Sequence, residues 1–231
     1  EKSEVFYLGR SYEAKRPKEE QQLLELNKIY HGDCLELMKY IPDKSIDMIL
    51  CDLPYGITAC KWDSIIPLEP LWEQYERIIK DNGAIVLTAS QPFTSKLVMS
   101  NPNMFKHEWI WDKRNISNPF LAKYQPLKQH ESILVFGKGT VNYYPIMTPR
   151  DKVRKYKDKY GGGEAFNKKG TGEKEYTLKF KYPKSILKFT NAIQKGKVHP
   201  TQKPVALFEY LIKTYTKEGE VVLDNCIGSG T

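Results

Sequence analysis

Asp52-Leu53-Pro54-Tyr55 sets a carboxylate, a turn and an aromatic ring in four consecutive positions, directly after the apolar run Ile46-Asp47-Met48-Ile49-Leu50-Cys51. A run rich in strand formers that stops at such a tetrapeptide reads as a buried strand ending in a turn. Open α/β sheets place their ligands at that edge. The chemistry available to these residues is specific. An aromatic amino nitrogen is a poor nucleophile because its lone pair is delocalised into the ring. A carboxylate and a backbone carbonyl, each accepting one N–H, would favour a pyramidal nitrogen and free that lone pair. Asp52 and the Leu53 carbonyl are spaced for this, and Tyr55 offers a flat face to an aromatic base. Taken alone, the four residues are equally compatible with an ordinary turn and a packed tyrosine.

Two further segments have chemical potential. Asp224-Asn225-Cys226-Ile227-Gly228-Ser229-Gly230-Thr231 follows the apolar Val221-Val222-Leu223, and its glycines would let a ligand come close to the backbone. His199-Pro200-Thr201-Gln202-Lys203-Pro204 precedes an amphipathic stretch, Val205 to Tyr215, with Pro204 near the first turn. Helix N-termini attract carboxylates; a rigid helix start is the plainer reading of the same residues.

The elements that would hold these segments follow from periodicity. Helices are predicted at 17–27, 34–40, 71–80, 93–99 and 205–215, and strands at 28–30, 46–51, 84–87, 108–111, 132–136 and 220–223. Strand–helix–strand order with short turns argues for a mostly parallel sheet covered by helices. Trp109, Trp111 and Phe136 read as core. Arg114 to Asn118 reads as a polar loop that could touch a polyanion. From about Tyr143 to Lys181 no period lasts, and an inserted irregular segment, partly mobile when unbound, is expected there.

With 40% hydrophobic residues in 231, a folded protein with a real core is expected. The net charge of +8 is unevenly placed: residues 138–197 carry 16 Lys and Arg against 5 Asp and Glu, so the remainder is slightly acidic. A concentrated basic segment suits phosphates; a solvated lysine-rich loop is the bland alternative. Cys34, Cys51, Cys60 and Cys226 show no zinc spacing, so reduced thiols, no metal and a cytoplasmic protein are expected. No apolar run is long enough to span a bilayer, and no signal peptide opens the chain.

The order of the segments resembles the β-type amino DNA methyltransferases, of phage or prophage kind. Their motifs run (D/N/S)PP(Y/F/W), a target-recognition region, HPTQKP, then an FxGxG cofactor turn; residues 28–231 follow this order, and HPTQKP matches in full. The resemblance implies a Rossmann-like S-adenosylmethionine-dependent fold: α/β, mostly parallel, helices on both faces, motif order circularly permuted. It implies an N-terminal arm at 1–27, a catalytic part at 28–139, a target-recognition insertion at 140–190 and an incomplete cofactor-binding part at 191–231.

By position it implies that Asp52, Leu53, Pro54 and Tyr55 are catalytic. S-adenosyl-L-methionine would meet Asp33, Cys34, Asp52, His199, Thr201, Gln202, Lys203, Asp224, Cys226, Gly228 and Gly230. Double-stranded DNA would meet Arg114, Asn118, Arg150, Lys152, Arg154, Lys155, Lys168 and Lys169. The target base would leave the stack, Tyr55 would stack on it, and its nitrogen would attack the sulfonium methyl in line. Asp in the first motif position points to adenine N6, with cytosine N4 as the alternative; a related motif also serves RNA or protein methylation. The resemblance leaves room for a homodimer and a restriction endonuclease partner, and for no membrane.

Three positions depart from the family pattern. Leu53 replaces the usual proline and Cys226 the usual phenylalanine. The family also continues past the place of Thr231 with a helix, a strand ending in a ribose-binding acid, and another helix. A truncated chain is therefore expected, and an inactive nucleic-acid-binding fragment is the reading from a different class.

Overall fold

The computed structural model describes residues 4–8, 23–58, 60, 63–159, 173–190, 202–228 and 230. The chain divides into two compact units, residues 1–144 with 185–231 and residues 145–184. The larger holds β1 (Glu4–Leu8), β2 (Lys28–Gly32), α1 (Cys34–Met38), β3 (Ile46–Cys51), α2 (Leu68–Ile78), β4 (Ile79–Ala89), α3 (Phe93–Ser100), β5 (Phe105–Ser117) and β6 (Lys128–Phe136). The smaller holds β7 (Thr148–Lys159) and β8 (Glu173–Lys181). The larger resumes with β9 (Ile186–Lys188), α4 (Val205–Tyr215) and β10 (Val222–Asp224).

Eight strands form one sheet in the order β2-β1-β10-β3-β4-β6-β5-β9. β10, β3 and β4 pair in parallel, β6 runs against both β4 and β5, and β9 follows β5. β1 runs against β10 and β2. Six of the eight described strands therefore point one way, with β1 and β6 reversed. This is the mostly parallel α/β sheet that the strand–helix order predicts.

β3 is buried over its whole length, which is why it reads as a continuous apolar run rather than an alternating one. Its side chains still divide by parity. Ile49 and Cys51 pack against α1, α2 and α3; Met48 and Leu50 pack on the other face, against α4. Trp109, Trp111 and Phe136 are buried, as expected.

Boundaries shift where pairing overrides propensity. The helix expected to reach Lys80 ends at Ile78, because Ile79 joins the sheet opposite Ile46. Pairing then skips to Met48 opposite Ala84. Gly83 sits in that irregularity, where a Cβ would lie 2.8 Å from the Asp47 carbonyl oxygen and 2.8 Å from Ile79 Cδ1. Only glycine fits there without a shift.

Three expectations are corrected. Of the helix placed at 17–27, residues 23–27 are coil and turn, and 17–22 lie outside the described residues. Arg114 to Ser117 is not a loop: β5 runs on to Ser117 with a register shift after Asp112. The segment 143–181 is not irregular throughout, since β7 and β8 pair antiparallel from Thr148 opposite Lys181 to Lys159 opposite Glu173. Residues 151–155 of that ribbon are all exposed. An exposed stretch needs no apolar alternation, so these residues carry no period to detect. Among the described residues no helix is long and apolar enough to cross a membrane.

Candidate active site

The carboxyl ends of β2, β3, β4, β5 and β10 share one edge of the sheet with the start of the reversed β6. Asp33, Asp52, Ser90 and Asp224 stand at that edge. So does Lys203, which precedes α4 in sequence.

Asp52 is the centre of a polar cluster. The Tyr55 hydroxyl lies 2.9 Å from Asp52 Oδ1, 2.9 Å from Thr88 Oγ1 and 3.4 Å from Glu131 Oε2. The Thr88 hydroxyl donates to the same Asp52 oxygen. Lys203 Nζ bridges two carboxylates, 2.9 Å from Asp52 Oδ1 and 3.3 Å from Glu131 Oε2. Lys113 Nζ lies 3.0 Å from the other oxygen of Glu131. Two acids and two bases thus form a neutral network, of which only Asp52, with 29% of its side chain exposed, is much open to solvent.

The electrostatics follow from that geometry. Burial alone would push the Lys203 ammonium down; the charges of Asp52 and Glu131 outweigh it and raise Lys203 above its ordinary value. Burial alone would raise the Glu131 carboxyl; Lys203 and Lys113 outweigh it and hold Glu131 below the usual range. The Tyr55 hydroxyl is pushed well above its ordinary value by burial, then by the negative charges of Asp52 and Glu131, so it stays a neutral phenol.

Parity explains why these residues meet. Asp52 continues the β3 row of Met48 and Leu50, and Thr88 continues the β4 row of Ala84 and Val86. Lys113 continues the β5 row of Trp109 and Trp111, and Glu131 precedes Ile133 and Val135 on β6. The apolar members of all four rows pack on the α4 side of the sheet. The polar cluster is the end of that layer at the carboxyl edge. Thr88, Lys113 and Glu131 were not singled out from sequence. The available signal was a charged or hydroxyl residue on the inward parity of each strand.

The loop after Tyr55 is shaped by Asp63, also missed. Its carboxylate accepts from the backbone N–H of Gly56 at 2.8 Å, Ile57 at 2.9 Å and Thr58 at 2.7 Å. Burial would raise that carboxyl; the Thr58 hydroxyl and the three amides outweigh it and lower it. The Tyr55 ring stacks on Phe93, with centroids 5.6 Å apart, and Lys203 Nζ lies 5.3 Å from its centroid. Leu53 is buried in the core while Pro54 is half-buried.

At the neighbouring strand end, the Asp224 carboxylate accepts from Cys226 N at 2.9 Å. Burial, opposed by that amide and by Cys51, pushes Asp224 up to about 7. Buried Asn225 accepts from the Tyr75 hydroxyl at 2.6 Å, which ties the turn to α2. Gly228 and Gly230 take positive φ, 56° and 76°. Among the described residues, no atom lies within 4 Å of a Cβ built on Gly230.

The remaining predicted residues are scattered. Asp33 is the N-cap of α1, accepting from Leu35 N and Glu36 N, and Cys34 is buried in the first turn. Gln202 is half-buried. His199, Thr201, Lys168 and Lys169 lie outside the described residues. Arg114 and Asn118 are exposed on the larger unit, both at positive φ. Lys152, Arg154 and Lys155 are exposed on β7 of the smaller unit, and Arg150 Nε donates to the Phe180 carbonyl there. Among the described residues no group of three His, Cys, Asp or Glu is arranged to hold a metal ion.

With this geometry in hand, comparison with known proteins decides the family. A family model described as DNA methylase, covering N6 and N4 methyltransferases, matches residues 46–231. The chain belongs to this DNA methylase family. It is 30% identical over 230 residues to the type II methyltransferase M.BglII of Bacillus subtilis, covering 89% of this chain and 61% of that protein. It is 27% identical to M1.MboII of Moraxella bovis, covering 90% of this chain and 86% of that protein. It is 25% identical to M.HpaI of Haemophilus parainfluenzae, covering 87% and 63%. The chain thus spans less than two thirds of M.BglII and M.HpaI. Among solved structures, the fold matches the M1.HpyAVI–SAM complex with a TM-score of 0.54 at 23% identity, covering 87% of this chain and 83% of that one. It matches the cytosine-N4-specific PvuII DNA methyltransferase with a TM-score of 0.55 at 14% identity, covering 82% and 70%.

Proposed function

We propose that the protein transfers a methyl group from S-adenosyl-L-methionine to the exocyclic amino group of a DNA base, and that the base is adenine, methylated at N6. The observation that carries the reading is the adjacency of two strand ends. β10 and β3 are hydrogen-bonded neighbours, with Val222 opposite Met48 and Leu223 opposite Ile49. The glycine turn and the Asp52 cluster therefore leave the sheet side by side, as a methyl donor and its acceptor must.

The turn fits a nucleoside-type cofactor, with two glycines at positive φ, Gly228 and Gly230, after an acid, Asp224. Asp33, Cys226 and Gln202 join it in holding the ligand. When bound, S-adenosyl-L-methionine supplies an electrophilic sulfonium methyl whose leaving group is a neutral thioether. The protein's part is positioning and electrostatic preorganisation. Asp52 accepts one amino N–H and the Leu53 carbonyl the other; that carbonyl accepts no hydrogen bond from the described residues. Lys203, Thr88 and Tyr55 hold the carboxylate in one orientation. The aspartate in the first motif position favours adenine over cytosine.

The test is to incubate the full-length protein with S-adenosyl-L-methionine and unmethylated DNA, digest to nucleosides and identify the product by mass spectrometry. N6-methyladenine is expected. N4-methylcytosine would keep the chemistry and move the base, and no methylated nucleoside despite cofactor binding would refute DNA as the substrate. Asp52→Ala should abolish methylation while DNA affinity is largely kept; equal loss of both would refute the role given to Asp52.

A further inference from the structure

Between Lys113 and His130 the chain carries Lys113, Arg114, Lys123 and Lys128 and no Asp or Glu. This stretch is the β5–β6 hairpin, and it rises from the sheet edge that holds Asp52. Trp111 pairs with Glu131 and Asp112 with His130, and the Tyr55 hydroxyl reaches Glu131. The base of the hairpin is fastened to the site: Lys113 Nζ bonds to Ser117 Oγ and Glu131, and Lys128 Nζ to Ser90 Oγ.

The tip above these anchors is a hydrogen-bonded turn and presents aromatic rings to water. Leu121 N donates to the Asn118 carbonyl at 3.0 Å, and the Leu121 carbonyl accepts from Tyr124 N at 2.9 Å and Gln125 N at 3.0 Å. Asn118 starts the tip in the left-handed region, at φ 61°. Phe120 is 93% exposed and Tyr124 is 84% exposed. One exposed aromatic side chain needs no explanation. Two rings held almost wholly in water by a defined turn, within a cationic hairpin on the rim of the site, fit a polyanion that also offers flat apolar faces. Duplex DNA next to an extruded base is that partner. The gap left by the base exposes the faces of its neighbours, and an inserted ring recovers part of the lost stacking.

We infer that the β5–β6 hairpin tip enters the DNA stack beside the target base, with Phe120 and Tyr124 against the bared bases and Arg114 and Lys123 on flanking phosphates. The inference rests on the DNA reading proposed above and adds to it the element that stabilises extrusion. Base–aromatic contacts set the scale of the effect.

The test compares the full-length wild type with Phe120→Ala/Tyr124→Ala after the target position has been mapped in methylated DNA. Two duplexes are used, one fully paired and one with the target base opposite an abasic site, which is already unstacked. The double variant should lose at least about tenfold in kcat/KM on the paired duplex and less than about threefold on the abasic one, by the scale of base–aromatic contacts. With 2-aminopurine at the target position, the wild type should raise the fluorescence and the variant should not. Phe120→Trp, which keeps a flat ring, should keep both properties. Equal loss on the two duplexes, or no loss on either, overturns the inference while the DNA reading stands. If the wild type methylates no DNA, so that no target position can be mapped, the DNA reading falls and this inference falls with it.

Discussion

Among the described residues, Lys203 is the one cation that touches both Asp52 and Glu131, and replacing it by methionine removes both contacts. Its ammonium lies 2.9 Å from the first and 3.3 Å from the second. At an effective dielectric of about 20, each contact is roughly 5–6 kcal/mol of Coulomb attraction. Most of that is offset by the desolvation of the ammonium, and breaking a buried pair typically costs about 3–5 kcal/mol. Asp52 keeps 29% of its side chain exposed, so the lower end, about 3 kcal/mol, is expected. For a chain of this size that lowers the melting temperature by roughly 6–12 °C. The sign of a second change separates charge balance from packing. Lys203→Met takes from Asp52 its ion-pair partner and leaves Glu131 paired with Lys113. Adding Glu131→Gln removes the other end of the Lys203–Glu131 pair, which each single variant already breaks, so the double variant should be more stable than the sum of the two single losses, by about 1–2 kcal/mol. Thermal melts of the four proteins measure the coupling. Additive losses would refute the reading of these residues as one neutral network.

Asp63→Ala strips the acceptor from three backbone amides of the loop after Tyr55; it should cost about 1–3 kcal/mol of stability and lower kcat, read by melts and turnover. Because the Asp63 carboxyl is depressed, its contribution is present above the ordinary carboxylate pKa and is lost as pH falls through the lower folded value, so the wild type and Asp63→Asn should converge in stability in acid. Asp224 has the opposite sign. Its folded pKa is raised to about 7, so the wild type should lose stability relative to Asp224→Asn as pH rises from about 4 towards 7, measured by melts across that range. Tyr75→Phe removes the hydroxyl that holds Asn225 and should cost about 1–2 kcal/mol, while weakening S-adenosyl-L-methionine binding by calorimetry through a loosened glycine turn.

Much of the larger unit was legible because its signals are local. Ile46–Cys51 matches the predicted strand at both ends, since a strand buried on both faces must be apolar throughout. α4 matches Val205–Tyr215 because its packed face repeats at Leu207, Phe208, Leu211 and Tyr215. The strand over residues 151–155 of β7 was not legible, because those residues are exposed and a period appears only where a face is buried. β5 runs beyond the predicted 108–111 for a related reason: past Trp111 its residues leave the core and turn polar while the backbone stays paired.

By itself, the sequence determined the strand that ends in Asp52, the glycine turn after β10, the helix after Lys203 and the order in which they come. Those properties depend on neighbours a few residues apart. Only the tertiary structure decided that Lys203 meets Asp52 and Glu131, that Lys113 and Thr88 complete the cluster, and that Phe120 and Tyr124 stand out above it. Residues 52, 88, 113, 131 and 203 share no local pattern. They meet because antiparallel β6 inserts between β4 and β5, bringing four inward-facing rows to one edge of the sheet. Strand order is set by long-range pairing and by burial of both faces, and no short window of sequence encodes either.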